Sequence, residues 1–236
     1  MRINKYLALC GVSSRRNSEV FVVEGKVKIN GRTVTDLATD VKDADIVTVN
    51  GVRVSPVEQH IYIMLNKPKG YVCTTSDEYG RKNVLQLLSE EYADKRIFPV
   101  GRLDFDTEGL LLLTTDGDLA NRIMHPHNEV PKTYVAKVEG EISESELGKL
   151  RGGVLLDGVR TKKCKAKLKD FSEGISRVEV VITEGRNRQV RRMFDSINRE
   201  VVFLKRTAIG ELKLGNLYRG MSRALNDKEV EYLKKL

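Results

Sequence analysis

Three carboxylates stand at alternate positions in one short segment of this chain, directly before a strongly apolar run. Asp104, Asp106 and Glu108 lie within residues 101–109, and leucines fill residues 110–113. Negative charge crowded against a buried strand costs free energy unless a cation or hydrogen bonds offset it. The segment therefore indicates a catalytic or a metal-binding loop, with a solvated acidic turn as the alternative.

Two familiar uses of such carboxylates fit the spacing poorly. Asp104, Asp106, Glu108 and Gly109 match the first ligands and the glycine of a calcium-binding EF-hand loop, but its last position, a bidentate glutamate, falls on Thr115. A pair of acids flanking one glycosidic bond is also disfavoured, because residues two apart in an extended segment point to opposite faces. The calcium interpretation fails, and the paired-acid interpretation is weakened.

The composition indicates a folded protein with an anionic partner. The 236 residues suffice for one large domain, or a large and a small one, with 40% hydrophobic and 31% charged residues. The net charge is +8. Residues 160–192 contribute most of it, with eleven lysines and arginines against four acids. Charge gathered in one place is typical of a polyanion-binding surface.

Cysteine usage and hydropathy point to the cytoplasm. Cys10, Cys73 and Cys164 are odd in number and far apart, which argues against a disulfide framework or a zinc site. No apolar stretch approaches the length of a membrane span, and no signal peptide opens the chain. His125 and His127 lack a third ligand at a suitable spacing, so we predict no metal site.

Residues 1–58 are predicted to form a small domain, and residues 59–236 a second one, because a proline-containing polar linker covers residues 55–60. The small domain should contain two short helices followed by a hairpin at Asn30-Gly31. The predicted N-cap of the second helix is Ser13 or Ser14, and its predicted apolar residues are Val20, Phe21 and Val23.

Arg15 and Arg16 open this second helix, where the helix N-terminus already favours anions. A solvated turn is the alternative for the pair taken alone. Residues 1 to about 50 as a whole, however, resemble the S4 RNA-binding domain. The resemblance implies that the two helices and the loop around the second one contact structured RNA.

Strands outnumber helices of crossover length in the remaining chain, which predicts an α+β domain with a mixed, largely antiparallel sheet. The predicted strands and helices include strands at 71–74, 110–113, 133–138, 161–168 and 177–183, and helices near 83–89 and 188–197. In the strand at 161–168, alternating lysines that include Lys163 and Lys165 form one face. That face fits either RNA phosphate contact or protection of a sheet edge.

The helix near 188–197 carries arginines in two settings. Its apolar positions leave Arg186, Arg188 and Arg192 available to a cleft or to solvent. Arg191 lies beside the apolar stripe, and a partly buried guanidinium needs a carboxylate. The acidic cluster at Asp104 is the candidate partner.

Residues from about 60 to 235 resemble the catalytic domain of the RsuA/RluB group of pseudouridine synthases. Four segments in the same order carry the resemblance, namely residues 65–70, 101–104, 132–134 and 184–191. The resemblance implies that Asp104 is the catalytic aspartate, that Tyr134 lies against the target base, and that Arg191 is the basic partner of Asp104. Lys67 and Arg102 fall in matching segments, with loop support and RNA-backbone contact as their implied roles.

The implied reaction breaks the bond between C1′ and N1 of a uridine, turns the uracil, and rejoins it through C5. A carboxylate can serve there as nucleophile, as stabiliser of sugar charge or as base, and whether it attacks the sugar or the base stays open. No step requires a metal, flavin or nucleotide, so we expect no cofactor.

The expected partner is ribosomal RNA or a ribosomal assembly intermediate, bound by a monomer. The segments at 77–82 and 116–122 favour large-subunit over small-subunit RNA. A noncatalytic RNA-binding or ribosome-assembly factor that has kept the fold is the alternative.

Overall fold

The computed structural model describes residues 1–57 and 59–236, and the chain divides into two compact units. The first comprises Met1–Ile61 together with the short segments Glu91–Ile97 and Thr115–Gly117. The remainder of the chain forms the second and larger unit.

The first unit has two helices and, within residues 1–57, a sheet of four antiparallel strands in the order β2-β1-β3-β4. These elements are α1 (Ile3–Leu9), α2 (Arg15–Val23), β1 (Val27–Ile29), β2 (Arg32–Val34), β3 (Val47–Val49) and β4 (Val52–Val54). Asn30 and Gly31 both have positive φ, as a two-residue hairpin with this twist requires. The predicted hairpin is confirmed.

Helix α2 begins as predicted, but its buried face differs. The Ser14 hydroxyl accepts a hydrogen bond from the backbone N–H of Asn17 at 3.1 Å, so Ser14 is the N-cap. Val20 and Val23 are 54% and 62% exposed, whereas Val22 is fully buried. The predicted apolar face was therefore wrong for Val20 and Val23 and right for Phe21, because the helix packs through residues 18, 21 and 22.

The second unit has eleven strands within the described residues, and most of them belong to one large sheet. They are β5 (Tyr62–Lys67), β6 (Phe98–Val100), β7 (Glu108–Thr114), β8 (Lys132–Glu139), β9 (Leu155–Leu156), β10 (Val159–Arg160), β11 (Lys165–Ser172), β12 (Ile175–Ile182), β13 (Val201–Ile209), β14 (Leu212–Lys213) and β15 (Ser222–Ala224). Only β9 and β10 lie outside this sheet, where they pair with each other.

The large sheet has the order β11-β12-β8-β13-β7-β5-β15, with β14 beside β13 and β6 beside β7. Neighbouring strands run antiparallel except β7 and β13, which are parallel. The mixed, largely antiparallel sheet predicted from the sequence is thus confirmed. Every residue of β7 is buried, so this central strand is covered on both faces.

The second unit also contains α3 (Gly117–Met124), α4 (Glu144–Gly152), α5 (Gln189–Asp195) and α6 (Asp227–Lys235). Helices α4 and α6 each begin with a capping box, Ser143 with Glu146 and Asn226 with Glu229. Within the described residues, no helix combines the length and apolar character needed to cross a bilayer.

Two predicted strands need correction. Residues 71–74 form a single bridge, Val72 with Asn83, instead of a strand. The backbone of Val72 bonds Lys82 and Val84, and the Cys73 thiol exchanges hydrogen bonds with the backbone of Leu103. The lysine-bearing strand begins at Lys165, so Lys163 precedes it.

Gly109 allows the two parallel strands to approach at the centre of the sheet. It has a φ of 105° and is paired with Arg206 of β13. A Cβ atom built on Gly109 would lie 2.1 Å from the carbonyl oxygen of Arg206. Any side chain here would force β7 away from β13.

We expect Gly109→Ala to lower the free energy of unfolding by at least about 3 kcal/mol, because the clash is with backbone and the φ is unfavourable for alanine. Urea unfolding of the full chain measures the change. Gly117→Ala is the matched control, since a Cβ there meets nothing within 4 Å. Equal midpoints for Gly109→Ala and Gly117→Ala would contradict the prediction.

Candidate active site

The acidic loop between β6 and β7 is held by a buried ammonium group. The Lys67 side chain, at the end of β5, is 0% exposed. Its Nζ donates hydrogen bonds to the backbone oxygens of Pro68 at 3.1 Å, Asp104 at 3.0 Å and Thr107 at 2.9 Å. Burial lowers the pKa of Lys67, and the nearby acids, Asp104 among them, partly oppose that shift.

Lys67 therefore cannot contact RNA, and that prediction is corrected. All three protons of the ammonium group are directed to carbonyl oxygens inside the protein. The loop-support role is the one consistent with these contacts.

Asp106 is the carboxylate that binds the arginines of the region around α5. Arg188 forms a two-point contact with it, through distances of 2.9 and 3.0 Å. Burial raises the pKa of Asp106, but hydrogen bonds from Arg188 and the charge of Arg191 outweigh it, so the pKa is lowered overall. Asp106 is therefore held as an anion.

Arg191 is buried, as predicted, but its carboxylate partner is Asp106 instead of Asp104. Its Nε lies 3.2 Å from Oδ2 of Asp106 without the alignment of a hydrogen bond. Its Nη1 and Nη2 donate to the backbone oxygens of Val201 at 2.6 Å and Asp106 at 3.2 Å. Arg191 thus fixes the backbone of the acidic loop as well as its charge.

Glu108 is 5% exposed and lies 3.5 Å from Arg219. Because Asp106 and Glu108 are both paired with arginines, the segment is not a solvated acidic turn. Among the described residues, the Asp104 carboxylate forms no ion pair of its own. The pKa of Arg188 is raised, chiefly by its hydrogen bonds to Asp106 and to a smaller extent by the negative charge of Asp104.

Asp104 lines a cavity of about 650 Å³ in the second unit. Tyr134, 8% exposed in β8, lines the same cavity. The predicted residues Arg102, Arg186 and Arg188 lie at this cavity too. The structure thus brings Asp104 and Tyr134 to one space, with arginines around them.

A second cavity of about 430 Å³ adjoins the first and shares Asp104, Arg102 and Asn187 with it. Two exposed aromatic side chains line it, Tyr79 at 81% and Phe105 at 54%. Asp104 is therefore accessible from two sides.

The other predicted RNA-binding residues fall into two groups, those that are exposed and those that bind other groups of the protein. Arg15, Arg16, Lys163 and Lys165 are exposed, and Lys165 belongs to the edge strand β11. Arg186 donates to the backbone oxygens of Val159 and Arg160, and Arg192 pairs with Asp157 at 2.6 Å. Contact of these residues with RNA stays a prediction.

Sequence reasoning missed two basic residues of the larger cavity, Lys132 and Arg206. Lys132 could have been found, because it lies two residues before Tyr134 and so shares its strand face. Arg206 could not, since only the pairing of β13 with β8 places it there. Within residues 1–57 and 59–236, no group of three or more histidine, cysteine, aspartate or glutamate side chains is placed to hold a metal ion.

Comparison with known proteins agrees with this fold. The family model for RNA pseudouridylate synthase matches residues 61–196, and the S4 domain model matches residues 1–47. The chain therefore belongs to the RNA pseudouridine synthase family and carries an N-terminal S4 domain. It is a pseudouridine synthase, and the predicted fold class and activity are confirmed.

Similarity to individual relatives extends over the whole chain. The ribosomal large subunit pseudouridine synthase B of Bacillus subtilis is 45% identical, covering 100% of this chain and 96% of that protein. An RNA pseudouridine synthase of Aquifex aeolicus is 41% identical, covering 100% and 94%. A crystal structure of a pseudouridylate synthase matches with a TM-score of 0.72 and 32% identity, covering 99% of each chain.

We expect Lys67→Met to lower the free energy of unfolding by about 2–4 kcal/mol, because three buried carbonyl groups lose their donor. Chemical unfolding followed by circular dichroism measures this. Lys69→Met is the matched control, since Lys69 is exposed, and it should change stability by less than about 1 kcal/mol. A stable Lys67→Met protein would show that the ammonium group does not hold the loop.

The ion pairs of Asp106 predict a pH dependence. Its folded-state pKa is lowered, so its stabilising contribution is complete above the unfolded pKa of about 4 and is lost as pH falls through the folded value. The stability difference between the wild type and Asp106→Asn should therefore shrink below about pH 4. Urea unfolding at several pH values measures it, with Asp43→Asn as the control. A difference independent of pH would refute the assignment.

Proposed function

We propose that this enzyme converts a uridine of large-subunit ribosomal RNA to pseudouridine, with Asp104 as the reacting carboxylate. The observation that carries the assignment of Asp104 is the distribution of ion pairs. Asp106 and Glu108 are paired with arginines, whereas Asp104 lines the cavity and has no ion-pair partner in the part of the chain that the structure describes. The printed name of the Bacillus subtilis relative supports the large-subunit substrate.

Tyr134 is proposed to contact the uracil of a uridine turned out of its helix. Its ring belongs to the wall of the cavity that Asp104 lines, and a largely buried aromatic ring suits stacking on a base. Arg191 is proposed to act through Asp106 and the loop backbone, so it is a positioning residue.

The exposed cations are proposed to bind the rest of the RNA. Residues 1–58, with Arg15 and Arg16, would serve as the RNA-binding domain, and residues 59–236 as the catalytic domain. Lys163, Lys165, Arg102, Arg186, Arg188 and Arg192 are the proposed contacts on the catalytic domain. We further propose that the enzyme acts as a monomer in the cytoplasm.

Asp104→Asn tests the central assignment. We expect a loss of at least about 10³-fold in the single-turnover rate, because the variant removes a group that reacts in the transition state. The assay measures tritium release from large-subunit RNA labelled at uracil C5. RNA affinity in filter binding should stay within about threefold, since the carboxylate adds no favourable phosphate contact.

Glu173→Gln, at an exposed turn outside the cavity, is the matched control and should retain the wild-type rate. Native turnover by Asp104→Asn would overturn the assignment of this residue. Mapping pseudouridines in ribosomal RNA from cells with and without the protein tests the substrate. Loss of a site from small-subunit RNA alone would overturn the large-subunit proposal.

A further inference from the structure

The floor of the larger cavity carries two cations that the assignments above do not use. Tyr134 of β8 lies directly opposite Arg206 of β13, so both side chains project from the same face of the sheet. Lys132, two residues before Tyr134 in β8, projects from that face as well. All three residues line the cavity together with Asp104.

Arg206 is almost completely buried, at 3% exposed, and is only partly satisfied. Its Nε donates to the backbone oxygen of Leu110 at 2.8 Å. Its Nη2 is buried and has no hydrogen-bond partner among the described residues. A guanidinium nitrogen left in this state is costly in a folded protein and marks a place where a bound ligand can supply an acceptor.

Lys132 adds a second cation to the same place. Its Nζ donates to the backbone oxygen of Val130 at 3.0 Å. Burial lowers the pKa of Lys132, and the neighbouring charge of Arg206 lowers it further. A buried guanidinium and a half-buried ammonium group that repel each other favour an anion near both.

The reaction generates such an anion. When the bond between C1′ and N1 breaks, its electron pair stays on the uracil, where O2 and O4 share the negative charge. The base then turns, C5 forms the new bond to C1′, the proton on C5 leaves, and N1 takes up a proton in its place. Atoms and electrons balance without any added reactant, but the detached base must be held while it turns.

We propose that Arg206 and Lys132 bind the oxygen atoms of the detached uracil anion, so that both are catalytic residues. The inference rests on the proposed function. The buried guanidinium of Arg206 suits an uncharged base that becomes an anion, whereas exposed arginines such as Arg102 suit the phosphates. Donors placed where charge develops lower the barrier most in a site shielded from water.

A change of leaving group tests this role. Fluorine at C5 withdraws electrons and stabilises the detached base, so 5-fluorouridine should depend less on the two cations. Arg206→Gln should slow the reaction of uridine by about 10²-fold, and that of 5-fluorouridine by less than about 10-fold. Large-subunit RNA transcripts made with either nucleotide, under single-turnover conditions with the full chain, provide the substrates.

Because 5-fluorouracil has no proton at C5, both reactions are followed by loss of the starting nucleoside, measured by mass spectrometry after nuclease digestion. Arg186→Gln is the matched control, since Arg186 lines the same cavity but binds backbone oxygens at its exposed side. It should slow both substrates equally.

Equal losses on the two substrates in Arg206→Gln would overturn the proposal and indicate a phosphate contact or a structural role. Since Arg206 also binds the backbone of β7, its variant is checked by circular dichroism. If that variant fails to fold, Lys132→Gln tests the proposal instead, through the same comparison of the rate loss on uridine with the rate loss on 5-fluorouridine. Inactivity of the wild type on uridine would instead refute the proposed function.

Discussion

The site depends on one buried ammonium group, that of Lys67. Three carbonyl oxygens satisfy it, and two of them belong to the loop that carries Asp104. Lys67 also pairs in register with Gly109, the residue that lets β7 lie against β13. A single point of the sheet therefore fixes the acidic loop and, through β13, the position of Arg206. Removing the ammonium group from water costs free energy, and the three hydrogen bonds offset that cost, which explains why a lysine is tolerated there.

Ion pairing then divides the roles of the three carboxylates. Asp106 receives Arg188 and Arg191, and Glu108 faces Arg219, so these two acids stabilise the loop. Asp104, which precedes both of them in the sequence, lines the cavity and forms no ion pair with any residue that the structure describes. The alternation that made the segment conspicuous in the sequence thus separates one reactive group from two supporting ones, because successive side chains of the loop face different surroundings.

Periodicity predicted much of this arrangement, and tertiary pairing explains the failures. The lysine face of β11 and the buried face of α5 follow from spacings of two and of three to four residues. In helix α2, Val20 and Val23 were wrongly predicted to be buried, because the helix also packs through the small, fully buried Ser18, whose hydroxyl shares a hydrogen bond with that of Ser13. The need of Arg191 for a carboxylate was readable, yet no local rule distinguishes Asp104 from Asp106 as its partner.

The cations of this protein fall into two classes by burial, and the two classes differ in how strongly salt screens them. Side chains such as Arg15 and Lys165 are exposed, so salt would screen their attraction to an RNA phosphate over a distance of about 10 Å. Lys67 and Arg206 lie beyond the reach of bulk ions, so their effect on charge inside the cavity is screened far less. RNA affinity should therefore depend on ionic strength much more steeply than the rate of the chemical step, since the two quantities draw on different cations.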